Sequence, residues 1–191
     1  MSKEIEIEAK TMLSKEDYLR LFDKYSAKFP IYTQVNYLLN PIDIPLSESK
    51  LAIRIRHKND KYEFTTKIEL SEGKLEINQD LSKEEVDAFF NEGKVPQGEV
   101  YNELKNRKLC NPDLIRCFLV LKTDRFDIPF NDHLISIDES NYLSIEDYEI
   151  ECESTSMEKA VNYLKEFLSK ENIPYKGRSK SKLKRVKEAL I

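Results

Sequence analysis

Residues 4–10 read Glu-Ile-Glu-Ile-Glu-Ala-Lys, and this alternation of charged and apolar side chains decides how the chain folds. Successive side chains of a β-strand point to opposite faces, so the three glutamates and Lys10 share one face while the isoleucines and Ala9 share the other. Such a strand packs its apolar face on a core and presents its charged face to water or to a polar interior. The other strands indicate whether the charged face contacts water or a polar interior.

The same alternation recurs along the chain, and it separates the two signs of charge. Arg54 and Arg56 share the polar face of one predicted strand, and Lys67 lies on the polar face of the next. Glu149 and Glu151 lie on the polar face of the last strand, so carboxylates concentrate at the two ends of the series. A face that only contacts water usually mixes the two signs. The predicted strands are residues 3–10, 31–40, 50–58, 60–70, 74–80, 115–128, 133–139 and 143–154.

Amphipathic helices are predicted over residues 14–28, from Ser82 onwards, over 98–109 and over 157–170. Strand clusters with helices inserted between them are typical of an α+β fold with an antiparallel sheet. The helices need an apolar partner, and the outward face of a closed sheet supplies one. We therefore predict a closed eight-stranded antiparallel β-barrel, or tunnel, with a charged lumen and amphipathic helices packed outside. An open sheet with its charged face in water is the alternative.

The composition excludes several classes of function. With 191 residues, the chain is predicted to be a single domain spanning residues 1–191. It carries 31 basic and 35 acidic side chains, a net charge of −4, so no nucleic-acid partner is expected. The sequence has no long apolar run and no signal peptide, which predicts a cytoplasmic protein without a membrane partner. Monomer and homodimer both stay open.

A charged lumen predicts a charged ligand, because buried ions must pair with one another or bind something. Arginine and lysine bind phosphate oxygens through charge-assisted hydrogen bonds, while Asp and Glu oxygens hold Mg²⁺ or Mn²⁺. The predicted ligand is therefore a polyphosphate with a divalent metal. Crowding of like charges further predicts that alanine at Glu8 or Glu151 raises the melting temperature of the metal-free protein.

The first strand contains Glu6-Ile7-Glu8-Ala9-Lys10, an ExExK motif that resembles the signature of the CYTH superfamily, the triphosphate tunnel metalloenzymes. The resemblance spans the whole chain and is strongest to the short, uncharacterised CYTH-domain proteins of Gram-positive bacteria. Further elements follow in the family's order: Arg54-Ile55-Arg56, Thr66-Lys67, Asp124-Arg125, Asp138, Tyr148-Glu149-Ile150-Glu151 and Ser179-Lys180-Ser181-Lys182.

The resemblance implies an eight-stranded tunnel and a role for each matching residue. It implies that Mg²⁺ or Mn²⁺ is bound by Glu6, Glu8, Asp138, Glu149 and Glu151, with Glu4 and Glu153 extending the same faces. It implies that the triphosphate is bound by Lys10, Arg54, Arg56, Lys67 and Arg125, with Lys180 and Lys182 both fitting the position of a late lysine. Catalytic roles are implied for Glu149, Glu151 and Lys10.

The implied function is metal-dependent hydrolysis of a triphosphate-containing small molecule, of the inorganic triphosphate or thiamine triphosphate type. One departure from the family pattern concerns the strand of Arg125, where Thr123 stands at a position that is often basic. Lys122 is basic but faces the other way by parity. Two alternatives stay open: a class IV-type adenylyl cyclase, which uses the same chemistry, and a non-catalytic polyphosphate- or nucleotide-binding module, which the Thr123 departure favours.

Overall fold

Nine antiparallel strands form one sheet in the computed structural model, which describes residues 2–190. Their order across the sheet is β1-β6-β5-β4-β3-β7-β8-β9-β2. The strands are β1 (Ser2–Glu6), β2 (Glu8–Met12), β3 (Tyr32–Pro41), β4 (Ala52–Lys58), β5 (Lys61–Glu69), β6 (Lys74–Leu81), β7 (Ile115–Phe130), β8 (His133–Tyr142) and β9 (Ile145–Glu153).

The first predicted strand is divided in two, and the division joins the edges of the sheet. β1 pairs with β6 at one edge, and β2 pairs with β9 at the other. Only Ile7 separates the two halves, and its carbonyl oxygen accepts a hydrogen bond from the backbone N–H of Ser154 at 2.9 Å. A single stretch of chain therefore lies along both edges. The predicted antiparallel tunnel is confirmed, with nine strands because the first is interrupted.

Five α-helices accompany the sheet, and three begin at a serine whose hydroxyl accepts a backbone N–H from the first turn. Ser82 and Glu85 form a complete capping box at one of them. The third helix is three residues shorter at its carboxyl end than predicted. The helices are α1 (Lys15–Tyr25), α2 (Lys83–Glu92), α3 (Glu99–Asn106), α4 (Met157–Lys170) and α5 (Lys182–Leu190).

Four helices cover the outside of the sheet and bury its apolar face. Under α1 and α4, a core forms around residues such as Phe126 and Ile150, and under α2 and α3 another forms around Phe64 and Ile77. All four of these side chains are fully buried. Because neighbouring side chains on each strand point the other way, this outer packing directs the charged residues inwards.

The fifth helix packs differently, because it contacts the inner face of the sheet. Val186 of α5 is fully buried in a cluster with Leu38 of β3 and Leu121 of β7. Both leucines also line the cavity inside the sheet, so α5 closes part of one end of the tunnel. None of the helices among residues 2–190 is long and apolar enough to cross a membrane.

Candidate active site

A cavity of about 780 Å³ lies inside the sheet, lined by the inward faces of its strands and by α5. It receives nearly all the charged residues singled out from the sequence. Those lining it are Glu4, Glu6, Glu8, Lys10, Arg54, Arg56, Lys67, Arg125, Asp138, Glu151, Glu153 and Lys182. Glu149 is fully buried and is not among the lining residues. The charged strand faces therefore meet in one interior.

Two arginines of β4 have donors that the protein leaves unused. The Nε atom of Arg54 is buried and has no hydrogen-bond partner among the described residues. Arg56 donates from Nε to Asn36 Oδ1 at 3.0 Å and forms no ion pair with any of residues 2–190. Burial, followed by repulsion from Arg54 and Arg125, lowers the pKa of Arg56 to about 9. A buried cation without an anionic partner is costly, which makes this wall of the cavity receptive to an anion.

The lysines of the ExExK strand and of β5 are paired with carboxylates. Lys67 Nζ lies 2.5 Å from Glu6 and 2.7 Å from a glutamate of β6, Glu76. Lys10 Nζ lies 2.6 Å from Glu8 and 3.1 Å from Glu151. These contacts connect the acidic first strand to both neighbouring walls of the tunnel.

The glutamates in these pairs titrate differently. Burial, with repulsion from Glu8, raises the pKa of Glu6. Burial acts in the same direction on Glu76, but the charges of Arg54 and Lys67 outweigh it and lower the pKa of Glu76 to about 2. Glu76 is therefore a fixed negative charge in the wall of the cavity.

Three carboxylates form a compact cluster on β8 and β9. The ladder register places Asp138 opposite Glu149, and Glu151 follows two residues later on the same face. One oxygen from each of the three lies within 4.8 Å of the others. Such a set of hard oxygen donors fits Mg²⁺ or Mn²⁺. Glu6 and Glu8 lie outside this cluster.

Basic side chains contact all three carboxylates of the cluster. Arg125 holds Asp138 through two hydrogen bonds of 2.5 Å and reaches Glu151 at 2.6 Å. Lys182 Nζ lies 2.6 Å from Asp138 and 3.0 Å from Glu151, and it also contacts Glu149. The carboxylates are thus neutralised by residues far away in the sequence.

These cations change the acidity of the cluster. Burial favours a higher pKa for Glu151, but Lys10, Lys182 and Arg125 outweigh burial and hold its pKa well below the usual range. On these contacts we expect the loss of Glu151 to destabilise the metal-free protein, opposite to the effect predicted from like-charge crowding. Its loss would leave those three cations less neutralised.

Glu149 behaves differently from Glu151. Burial, with repulsion from Glu151, raises the pKa of Glu149 to about 7 despite the charge of Lys182. Its second oxygen accepts a hydrogen bond of 2.7 Å from Arg185 of α5. Arg185 is in turn held by both oxygens of Asp147, at 2.9 and 3.2 Å.

The family model described as the CYTH domain matches residues 4–186. The chain belongs to the CYTH family. The predicted resemblance is thereby confirmed. This CYTH chain is 34% identical over 189 residues to the Bacillus subtilis protein named "Putative triphosphatase YjbK", covering 98% of this chain and 97% of that protein.

Two solved structures illustrate how well the CYTH fold is kept. A Bacillus halodurans protein described as a "putative adenylate cyclase" is 35% identical and superposes with a TM-score of 0.85, covering 97% of this chain and 98% of that one. The Hippeastrum protein HpAC1, described as a "putative adenylyl cyclase" with a dominant triphosphatase activity, is 22% identical with a TM-score of 0.78, covering 97% and 96%. The second likeness supports the fold only.

Within this CYTH domain, the two late lysines occupy different places. Lys182 reaches the acidic cluster, whereas Lys180 is exposed and pairs with Glu188 at 2.9 Å. The sequence left both open, and only Lys182 lines the cavity. On β7, Thr123 is buried and its hydroxyl lies 3.1 Å from that of Ser140. Lys122 points outwards, as parity predicted, and pairs with Asp124.

Sequence reasoning missed three charged residues of this CYTH site. Glu76 alternates with Leu75 and Ile77 on β6, so the parity rule applied to the other strands would have found it. Arg185 lies one helical turn after Lys182, a spacing that places both on one helix face. Asp147 has no such signal, because its importance depends on the docking of α5.

Proposed function

We propose that this protein is a divalent-metal-dependent hydrolase of a short triphosphate or of a triphosphate ester. The observation that carries the proposal is the pair of under-used guanidinium groups, Arg54 and Arg56, inside a cavity that also contains a compact carboxylate cluster. Guanidinium groups bind phosphate oxygens in a fork geometry, and a carboxylate cluster binds the cations that accompany polyphosphates. The likeness to "Putative triphosphatase YjbK" supports the same assignment.

The basic residues would bind and orient the substrate. Arg54 and Arg56 project from one strand two residues apart, so they can contact successive phosphate groups of an extended chain. Lys10 and Lys67 bring ammonium groups from the neighbouring walls, and Arg125 brings a third guanidinium from β7. Phosphoryl transfer depends mainly on such positioning and on charge stabilisation, so no covalent nucleophile is required.

The carboxylates would hold the metal and position water. Asp138, Glu149 and Glu151 are the residues that would bind Mg²⁺ or Mn²⁺, with Glu6 at the end of β1 and Glu8 at the start of β2 as further acidic groups. When bound, such an ion draws charge from phosphate oxygens and makes water more acidic. Glu149 and Glu151 are the candidates to position the attacking water molecule.

Adenylyl cyclisation is the second candidate, favoured by the description of the Bacillus halodurans structure. A cyclase must bind an adenine ring, and proteins commonly do so by stacking aromatic side chains on the base. None of the described residues lining the cavity is aromatic. We therefore prefer hydrolysis. Any catalytic turnover would distinguish these two enzymes from a binding module, which has none.

The test is phosphate release from inorganic triphosphate, thiamine triphosphate and ATP, each with and without Mn²⁺. We expect Mn²⁺-dependent release from at least one of the first two. The variant Arg56→Met should lose most of this activity, and Lys122→Gln, on the outer face, should retain it. Cyclic AMP formed from ATP without phosphate release would favour the cyclase. Triphosphate binding without any turnover would favour the binding module.

A further inference from the structure

Every oxygen of the carboxylate cluster accepts a hydrogen bond from a cationic side chain. Arg125 contacts both oxygens of Asp138 and one of Glu151, and Arg185 contacts one oxygen of Glu149. The remaining Glu149 oxygen contacts Lys182, and the remaining Glu151 oxygen contacts Lys10 and Lys182. A metal ion that binds here therefore competes with these cations for the same oxygens.

Lys182 is the side chain whose position conflicts most directly with a metal. Among residues 2–190 it alone donates to all three carboxylates, so its ammonium group lies between them, where a shared cation would lie. Mg²⁺ binds carboxylate oxygens at about 2.1 Å. Two cations sharing those oxygens would be only a few ångströms apart, and their repulsion in a buried site is strong.

Two of the other cations have partners outside the cluster, and the third, Arg125, contacts only two of the three carboxylates. Arg185 is held by Asp147, and Lys10 is held by Glu8 at 2.6 Å. Lys182 has no ion pair outside the cluster among the described residues. It is also the first residue of α5, so release of its side chain acts directly on the start of the helix.

We propose that Lys182 is an internal competitor of the divalent metal, and that metal binding releases its ammonium group and loosens the first turn of α5. The proposal rests on the metal-dependent function proposed above. The released ammonium group would remain beside the cavity, because Ser181, Leu183 and Lys184 also line it. Metal loading and the closure of this end of the tunnel are then linked. The metal-free protein is closed by Lys182, and the loaded protein presents Lys182 to the phosphate chain.

The first test measures Mn²⁺ affinity by calorimetry, without substrate, for the wild type, Lys182→Gln and Lys180→Gln. Lys182→Gln removes the competing charge and should bind Mn²⁺ at least about tenfold more tightly, since a factor of ten requires only about 1.4 kcal/mol. Lys180→Gln removes the same charge two residues away, where the exposed lysine pairs with Glu188 and contacts none of the three carboxylates, and should leave the affinity unchanged.

The second test uses the wild-type protein, so it does not depend on whether a variant folds. Hydrogen exchange of the amides of α5 should become faster when Mn²⁺ is added, while exchange in α4 stays the same. Equal Mn²⁺ affinity in the wild type and Lys182→Gln, or slower exchange in α5 on adding metal, would overturn the competition while leaving the metal site intact. If none of the three proteins binds Mn²⁺, the metal centre itself is wrong, and the competition with it.

Discussion

Replacing Arg56 by methionine is expected to stabilise the ligand-free protein while removing much of its affinity for triphosphate. Arg56 is partly buried and is repelled by Arg54 and Arg125, with a single hydrogen bond to Asn36 and no ion pair among the described residues. Most buried arginines are held by a carboxylate, and their removal destabilises a protein. Arg56 lacks such a carboxylate, so its anionic partner would have to be a bound ligand.

The magnitude follows from the lowered pKa. A guanidinium whose pKa falls from 12.5 to about 9 remains protonated at pH 7, at a cost to the folded state of at most about 5 kcal/mol. Solvent in the open cavity reduces this cost, and the hydrogen bond to Asn36, worth about 1 kcal/mol, is lost with the side chain. We expect a net stabilisation on the order of 2 kcal/mol, which raises the melting temperature by roughly 4–8 °C.

The assay is thermal unfolding with and without triphosphate, pyrophosphate or orthophosphate, and Arg125→Met is the matched comparison. Arg125 is bound to Asp138 and Glu151, so its removal leaves carboxylates less paired and should cost about 3 kcal/mol. Triphosphate should raise the melting temperature of the wild type most, by mass action. In Arg56→Met that rise should shrink, since a charge-assisted contact is worth roughly 1.5–3 kcal/mol, or about ten- to a hundredfold in affinity.

Two results would refute this reasoning. If Arg56→Met destabilises the ligand-free protein as much as Arg125→Met does, Arg56 is an ordinary structural cation. If the three phosphates stabilise the wild type equally, the cavity has no site of triphosphate length and binds anions generally.

Two further predictions concern the carboxylates. Glu151→Gln should lower the melting temperature of the metal-free protein by roughly 6–12 °C, because it breaks a buried ion-pair network worth about 3 kcal/mol. A raised melting temperature would show that repulsion among the carboxylates dominates. Glu149 has its pKa raised to about 7, so between its unfolded pKa near 4.5 and pH 7 the folded state binds a proton that the unfolded state lacks. Its contribution therefore lowers stability as pH rises through that window, by about 1.36 kcal/mol per pH unit. Chemical denaturation from pH 4.5 to 8 should show a weaker decline in Glu149→Gln than in the wild type, and parallel pH profiles would contradict the shift.

Side-chain parity in the sequence was enough to place most of the site. Glu6, Arg56, Lys67 and Glu151 were expected in one cavity because they alternate with apolar residues that had to face the helices, and all four line it. The helix starts at residue 14 and at Ser82 were equally predictable, since each depends on a few adjacent residues. Local chemistry and a two-residue period are properties of the sequence itself.

The pairing of the charges was decided only by the tertiary structure. Asp138 meets Glu149 through the register of β8 on β9, and Arg125 meets Asp138 through the register of β7 on β8. Lys182 enters the cluster because α5 docks on the inner face of the sheet through Val186. Electrostatic energies depend on distances of a few ångströms between residues dozens of positions apart, so a sequence that shows which charges face inwards cannot show which of them are neutralised. Which cations neutralise a crowded carboxylate such as Glu151 was therefore decided by docking and register.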